Sequence, residues 1–455
     1  DFKNSIIIKL EQNYRSTSNI LQAANSVIVN NDDRLKKSLW TSGTTGELIN
    51  LYAGYNERDE ARFIVGKIAD WSIKGSARSD AAVLYRSNAQ SRVIEEALIN
   101  AKMPYRIYGG LRFFERQEIK DSLAYLRLIS HKEDDSSLER IINRPKRGIG
   151  AQTIEQIRKY SKTNNCSMWS ALPIIATSEL SSRASSSVLI FADLINKMSN
   201  KIETLSLSEK VKYINSASGL IDYYKKEKDE RSSTRLENLE ELVNAADSFI
   251  FEKEAGLNEL DAFLSHAALE SGEEQGEEWD DCVQLMTIHS AKGLEFPLVF
   301  ISGLEDGLFP HQRSLSELVG LEEERRLCYV GITRAKESLY LTYSQQRRLH
   351  GMENFSKPSR FIDEIPKELI NKIQPKSNFN NLKYKTPKPY ENRYYHKVPN
   401  NDLGINIGQR VRHAKFGNGT ILNFSGQGEH TQLEINFETN GTKILVLAYA
   451  NLELM

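Results

Sequence analysis

The feature that most limits the fold is a hydrophobic period that changes twice along the chain. Over roughly the first hundred residues, short apolar runs alternate with stretches of helical period, which is the layout of repeated strand–helix units in a parallel sheet. Residues 5–10 (SIIIKL) read as a buried strand and residues 18–30 as a helix with Ser18 at its N-cap. Residues 81–85 (AAVLY) read as another strand, and residues 88–101 as a helix carrying Val93, Ala97 and Leu98 on one face. From residue 109 to residue 281 the strand patterns give way to long 3.6-period stretches, as in residues 118–130 and 234–251. Strands return at residues 283–288 (VQLMTI) and 297–303 (PLVFISG), whose near-continuous apolar character suits strands covered on both faces. The expectation is an α/β domain, residues 1–108 and 282–365, interrupted by an all-helical insertion at residues 109–281.

The texture changes again further on. Five of the 11 prolines fall between residues 366 and 399, and residues 366–402 hold eight Lys or Arg against three acids. Residues 366–403 therefore read as a flexible basic tether. Residues 404–455 alternate apolar and polar side chains from residue 407, with Gly417, Gly419, Gly426, Gly428 and Gly441 at the turns, the pattern of a small all-β module.

Composition narrows the class. A formal charge of -1 over 455 residues, 40% hydrophobic and 27% charged residues describe a globular chain and not a disordered one. Neutrality does not exclude nucleic acid, because clustering of cations decides phosphate binding. Residues 270–281 hold seven carboxylates and no Lys or Arg, and read as a solvated boundary loop. Cys166, Cys282 and Cys328 are too few and too scattered for a disulfide framework or a CxxC metal site, so a reducing, cytoplasmic setting is expected. No apolar run reaches the roughly 18–20 residues of a membrane span. The first residue is Asp1, which suggests a piece of a longer protein.

No segment matches GxxxxGK[ST], and no strand ends in paired acids suited to Mg²⁺. Three stretches still look like part of a nucleotide site. In LEQNYRS (residues 10–16), Tyr14 is suited to stacking on a base and Arg15 to a phosphate. In TIHSAKGLEFPLVF (residues 287–300), Gly293 allows close backbone approach and Glu295 offers an acceptor for ribose hydroxyls. His289, Ser290 and Lys292 in the same turn suit a phosphate backbone. In LEEERRLCYVGITRAK (residues 321–336), an amphipathic helix running on to Arg334, residues 322–326 read as a solvated face with an i,i+4 pair from Glu322 to Arg326. Arg334, on a less polar segment, calls for an anionic partner.

Taken in order, these stretches resemble motifs IV, V and VI of the UvrD/PcrA/Rep family of superfamily 1A helicases. YRSNAQSRVIEEAL, MPYRIYGGLRFFERQEIKD and GQRVRHAKFGNGTI extend the resemblance over nearly the whole chain. It implies a RecA-like domain 2A split by a helical 2B domain, with a Tudor-like module after the tether, and without domain 1A and its Walker motifs. It implies that Tyr14 stacks on adenine, that Arg15 and Arg334 are arginine fingers on the γ-phosphate of ATP, and that Gly293 and Glu295 help hold the nucleotide. Mg²⁺ ligands are expected in domain 1A. The implied activity is ATP-dependent 3′ to 5′ translocation on single-stranded DNA and unwinding at a single-strand/duplex junction, in nucleotide excision and mismatch repair, in a cytoplasmic, nucleoid-associated protein.

Residues 139–162 carry seven Lys or Arg against two acids around RPKRGIGAQTI. Backbone amides at Gly148, Ile149 and Gly150, with Lys146, Arg147 and Thr153, suit a duplex phosphate, and the stretch resembles the helix-hairpin-helix contact of family 2B domains. The Tudor-like module implies protein partners, RNA polymerase and repair proteins among them, while its Arg410, Arg412, His413 and Lys415 leave DNA contact open. The rival expectations are a helicase-nuclease subunit of RecB or AddA type, which would carry a terminal nuclease domain, and a non-catalytic DNA-binding adaptor.

Overall fold

The computed structural model describes residues 11–32, 38–227, 230–251, 258–272, 281–316, 318–349, 352–373, 409–413, 416–425, 432–437, 441–446 and 452–454. The chain divides into two compact units, residues 1–377 and 378–455. The first opens with α1 (Ser18–Ile28), β1 (Ile49–Gly54), α2 (Glu57–Ile73), β2 (Ala81–Tyr85), α3 (Ser91–Asn100) and β3 (Tyr105–Ile107). Helices follow: α4 (Gln117–Ser130), α5 (Asp135–Ile141), α6 (Ala151–Asn164), α7 (Met168–Ser178), α8 (Ser182–Ile202), α9 (Leu207–Ala217), α10 (Leu220–Lys226), α11 (Glu230–Ser248) and α12 (Glu259–Gly272). Strand structure resumes with β4 (Val283–Thr287), β5 (Phe296–Ile301), α13 (Leu318–Ile332), β6 (Ala335–Ser344), β7 (Gln346–Leu349), β8 (Met352–Phe355), α14 (Arg360–Asp363) and β9 (Ile370–Ile373).

Among the described residues, seven strands form one parallel sheet in the order β3-β4-β2-β5-β6-β1-β9. Alternation along each strand sends Val83, Leu285 and Phe300 to the α2/α3 face and Leu84, Met286 and Ile301 to the opposite face, where Ile20 of α1 and Ile332 of α13 pack. Covering both faces is why these strands read as continuous apolar runs. The helical block leaves after β3 and returns at β4, and these are hydrogen-bonded neighbours, with Tyr105 opposite Val283. An insertion whose two ends are adjacent strands leaves the sheet register intact.

The block has its own core, including Tyr125, Leu138, Ile149, Ile157, Phe191, Ile214, Leu242 and Phe263. It docks on the α/β part through α11. Glu237 accepts a hydrogen bond from Ser87 Oγ, Glu241 Oε1 accepts from Arg92 Nε at 2.6 Å, and Arg116 of the block, held by Asn238 Oδ1 at 2.9 Å, donates to Asn88 O at 2.9 Å.

Several boundaries differ from the sequence reading. Thr17, not Ser18, is the N-cap of α1, because its extended backbone (ψ 161°) precedes the first helical residue. The helix expected to reach Arg334 stops at Ile332, where Phe296 N–H bonds Arg334 O at 2.9 Å and β6 begins. The stretch read as tether starts with sheet: β9 pairs in parallel with β1, Ile370 opposite Ile49. The strand read at residues 5–10 lies outside the described residues, as do residues 273–280 of the acidic run and the tether from residue 374.

In the second unit, β10 (Arg410–His413), β11 (Gly417–Ser425), β12 (Gln432–Phe437), β13 (Gly441–Val446) and β14 (Leu452–Leu454) form an antiparallel sheet in the order β13-β12-β11-β10-β14. Its period-2 pattern buries Val411, Ile421, Leu433, Ile435 and Phe437. Lys415, Gly426 and Gly428 lie outside the described residues.

Candidate nucleotide and nucleic-acid sites

The motif IV loop is held in place by polar contacts before any ligand arrives. Asn13 Oδ1 accepts from the amides of Arg15 and Ser16 at 2.7 and 2.9 Å, the turn that its short amide side chain favours. Ser16 Oγ then donates to Ala335 O at 2.6 Å, and Thr17 N–H to Lys336 O at 3.2 Å. These bonds seat Tyr14 and Arg15 at the start of β6. Glu295 stands one residue before β5 and Arg334 one residue before β6, so all three motifs meet at the amino ends of adjacent strands.

There Arg15 Nε is ion-paired with Glu295 Oε2, and Lys336 Nζ lies 3.0 Å from Glu295 Oε1. Hydrogen bonds from Lys336 and then Arg15 hold the Glu295 carboxyl below the usual carboxylate range. Arg334 is half-buried and bonds neutral oxygens: Leu294 O at 2.9 Å, Val330 O at 3.1 Å and Thr333 Oγ1 at 3.2 Å. Burial, followed by the charge of Arg15, lowers its proton affinity. A desolvated guanidinium beside a second one is stabilised by an incoming anion. Tyr14 is 83% exposed and open to a stacking partner. Glu295, read as a ribose acceptor, is here paired with Arg15 and Lys336.

The motif V segment runs back along the length of the strands. It leaves the carboxyl end of β4, where Ser290 Oγ lies 2.9 Å from Thr287 Oγ1, and coils through His289, Lys292 and Gly293, all exposed, to the amino end of β5. Gly293 has φ +93°, a conformation that needs glycine. Its two ends thus face opposite edges of the sheet: Glu295 toward the cation cluster, His289 and Ser290 toward the carboxyl edge. A Cβ built on Gly109, just after β3, would lie 3.8 Å from Ser290 Oγ, so the loops after β3 and β4 abut.

In the GIG turn, Gly148 has φ +78° and Gly150 is the N-cap of α6, a helix with no side-chain cap and no acid in its first turn. Lys146, Gly148 and Gly150 are exposed and Thr153 is partly so. Two side chains of the turn point inward. Ile149 is fully buried in the helical core, anchoring the turn. Arg147 turns inward, donating to Ile141 O (3.1 Å), Pro145 O (3.2 Å), Tyr125 Oη (2.6 Å) and Ser218 O (2.8 Å). Its backbone N–H is taken as well, donating to Asn143 Oδ1 at 2.7 Å.

The charge-rich run at residues 322–326 is not uniformly solvated. The i,i+4 pair forms, Arg326 Nη2 to Glu322 Oε2 at 3.2 Å, but Glu324 and Arg325 are buried. Glu324 takes a bidentate pair from Arg86 (2.7 and 3.0 Å), and Arg325 binds Glu364 at 2.9 Å. Arg347 of β7 joins two further buried carboxylates, Glu305 after β5 and Glu60 of α2, each at 2.7 Å. Their partners lie tens to hundreds of residues away, so no local pattern marks them. Among the described residues, no group of three or more His, Cys, Asp or Glu side chains is placed to hold a metal ion.

In the Tudor-like unit, Arg410 and Arg412 are exposed, and the His413 ring stacks on Phe416 at 4.6 Å.

An α/β domain split by a helical block, with a small antiparallel module beyond it, is the architecture of the carboxy-terminal part of a UvrD-like helicase. The UvrD-like helicase C-terminal domain family matches residues 8–346, and the chain belongs to it. The PcrA/UvrD tudor domain matches residues 407–453. DNA helicase II of Escherichia coli (strain K12) is 51% identical over 456 residues, covering 100% of this chain and 62% of that protein. DNA helicase II of Salmonella typhimurium shows the same 51% identity and coverage. The ATP-dependent DNA helicase PcrA of Bacillus subtilis is 42% identical over 469 residues, covering 100% of this chain and 63% of that protein. The chain thus spans less than two thirds of the length of these relatives.

Proposed function

We propose that the chain acts within an ATP-dependent DNA helicase that moves 3′ to 5′ on single-stranded DNA in nucleotide excision and mismatch repair. In this reading residues 1–108 and 282–373, with β9 as an edge strand of the sheet, are motor domain 2A, residues 109–281 are domain 2B, and residues 404–455 dock protein partners such as RNA polymerase. The observation that carries it is the meeting of Arg15, Arg334 and Lys336 around Glu295 at the amino ends of β5 and β6.

Such a cluster suits the terminal phosphate of a nucleotide held by a phosphate loop on a separate domain. ATP supplies the transferable phosphoryl group. Arg15 exchanges the Glu295 carboxylate for phosphate oxygens, and Arg334 swaps neutral carbonyls for the same anion. Two such guanidiniums spread the charge that develops in phosphoryl transfer, an effect on the order of a thousandfold or more. Tyr14 stacks on the base, while Gly293 and Glu295 border the ribose. Mg²⁺ is assigned to domain 1A, as the family resemblance implies. Closure at the amino edge is coupled to a strand at the opposite edge through the motif V segment, which touches both. The exposed GIG amides and Lys146 hold duplex by its phosphates.

The purified 455-residue chain is expected to hydrolyse no ATP and to bind DNA with affinity that falls steeply with salt. ATP turnover by this chain, or binding unchanged between low and moderate salt, overturns the reading.

A further inference from the structure

We infer that Tyr108 is a stacking platform for a base of the bound single strand, beside the phosphate contacts of His289 and Ser290. The inference rests on the single-strand reading above and adds to it a residue that reads bases by their faces.

The argument begins with alternation in β3. Tyr105 and Ile107 point into the core and are 3% and 5% exposed, whereas Tyr108, the next residue, is 41% exposed. Its backbone is nevertheless fixed, since Tyr108 N–H donates to Leu285 O at 2.8 Å and extends the β3–β4 ladder by one rung. Gly109, at φ +73°, then turns the chain, and Leu111 emerges 54% exposed. Immediately beyond, Arg112, Phe113 and Phe114 are buried, and Phe113 N–H bonds Glu95 Oε2 at 3.1 Å. A tyrosine and a leucine thus stand in solvent between two rigid anchors.

Position gives this exposed pair its meaning. The turn lies at the carboxyl edge of the parallel sheet, where α/β folds bind ligands. A Cβ built on Gly109 comes within 3.8 Å of Ser290 Oγ, so the backbone next to Tyr108 adjoins the motif V loop. Cationic and hydroxyl groups that track a backbone, with an aromatic face beside them, form the usual sequence-tolerant single-strand site.

The test is fluorescence anisotropy with the 455-residue chain and oligo-dT, set beside an oligonucleotide of the same length bearing abasic sites. Wild-type protein is expected to bind oligo-dT about tenfold more tightly than the abasic strand. Tyr108→Ala should lose that preference while keeping the wild-type salt slope, and Tyr108→Phe should retain it. Long-wavelength irradiation with 5-iodouracil in the strand should crosslink to Tyr108. A Tyr108→Ala protein that still prefers oligo-dT, or crosslinks confined to other residues, overturns the platform while leaving the single-strand reading intact. Wild-type chain that binds no single strand overturns both.

Discussion

Arg15 and Glu295, 280 residues apart in sequence, form an ion pair that occupies the guanidinium proposed to meet a nucleotide phosphate. One carboxylate thus offsets only part of the charge of Arg15 and Lys336, and an anion has to compete with it for Arg15. Lys336, 3.0 Å from the other carboxylate oxygen, keeps Glu295 in place when Arg15 leaves.

Removing the charge of Glu295 should release that competition. Glu295→Gln is expected to raise the affinity of the chain for inorganic tripolyphosphate about fivefold, the scale of a half-exposed ion pair. Titration calorimetry checks it. Mild acid should not reproduce the effect, because both cations hold the Glu295 carboxyl below the ordinary range. Unchanged affinity in Glu295→Gln would place the anion away from Arg15.

Arg347 of β7 bonds the buried carboxylates of Glu60 and Glu305, each at 2.7 Å, with its own side chain 11% exposed. Arg347→Met leaves two buried carboxylates without their cation, and a loss of roughly 3–5 kcal/mol is expected. With the cation gone, burial and mutual repulsion raise both carboxyl pKa values in the folded state. The folded variant then binds protons that the unfolded chain releases, so its stability gains as pH falls. Thermal melts at pH 8 and pH 5 should show the deficit relative to wild type shrinking in acid.

Legibility in the sequence followed range. The strands Ala81–Tyr85 and Val283–Thr287 and the helical block were readable because period and continuous apolarity are local consequences of two-faced burial. Tyr14, Arg15, Glu295 and Arg334 were legible through ordered motifs, and the structure brings Arg15, Glu295 and Arg334 to one edge. What escaped was long-range. Glu324 looks like any helix-surface acid until Arg86 closes on it from 238 residues away. Arg147 has the composition of a phosphate ligand, and only the arrangement of Tyr125 and Ser218 turns it inward. The short strand Ile370–Ile373 was hidden in a proline- and lysine-rich stretch because edge strands need little apolar pattern.

Lys132 gives the helical block a pH dependence. Its Nζ is buried, finds no hydrogen-bond partner among the described residues and lies 4.4 Å from the Trp169 ring centroid. Burial lowers its pKa to about 8. Between about pH 8 and pH 10 the unfolded chain holds a proton that the folded chain has released, so folding stability rises with pH across that window. Below it the buried charge is a standing cost. Lys132→Met is expected to melt higher than wild type at pH 7 and to flatten the rise between pH 8 and pH 10, as followed by calorimetry. A variant with the wild-type pH profile would remove Lys132 as the source.

The GIG turn separates structure from binding in two adjacent residues. Arg147→Ala deletes hydrogen bonds to Ile141, Pro145, Tyr125 and Ser218, leaving buried acceptors unpaired. A stability loss of about 2–4 kcal/mol is expected, visible in denaturant melts. Lys146 is exposed and its truncation should change stability by less than about 0.5 kcal/mol. Duplex binding should respond the other way round. Lys146→Ala is expected to weaken it uniformly across sequences and to lower the salt slope by about 1. Arg147→Ala, measured well below its melting temperature, should keep the wild-type slope, because its guanidinium never faces the phosphates. Equal losses of salt slope in both variants would mean that Arg147 swings out to DNA, and its inward bonds would then describe only the free protein.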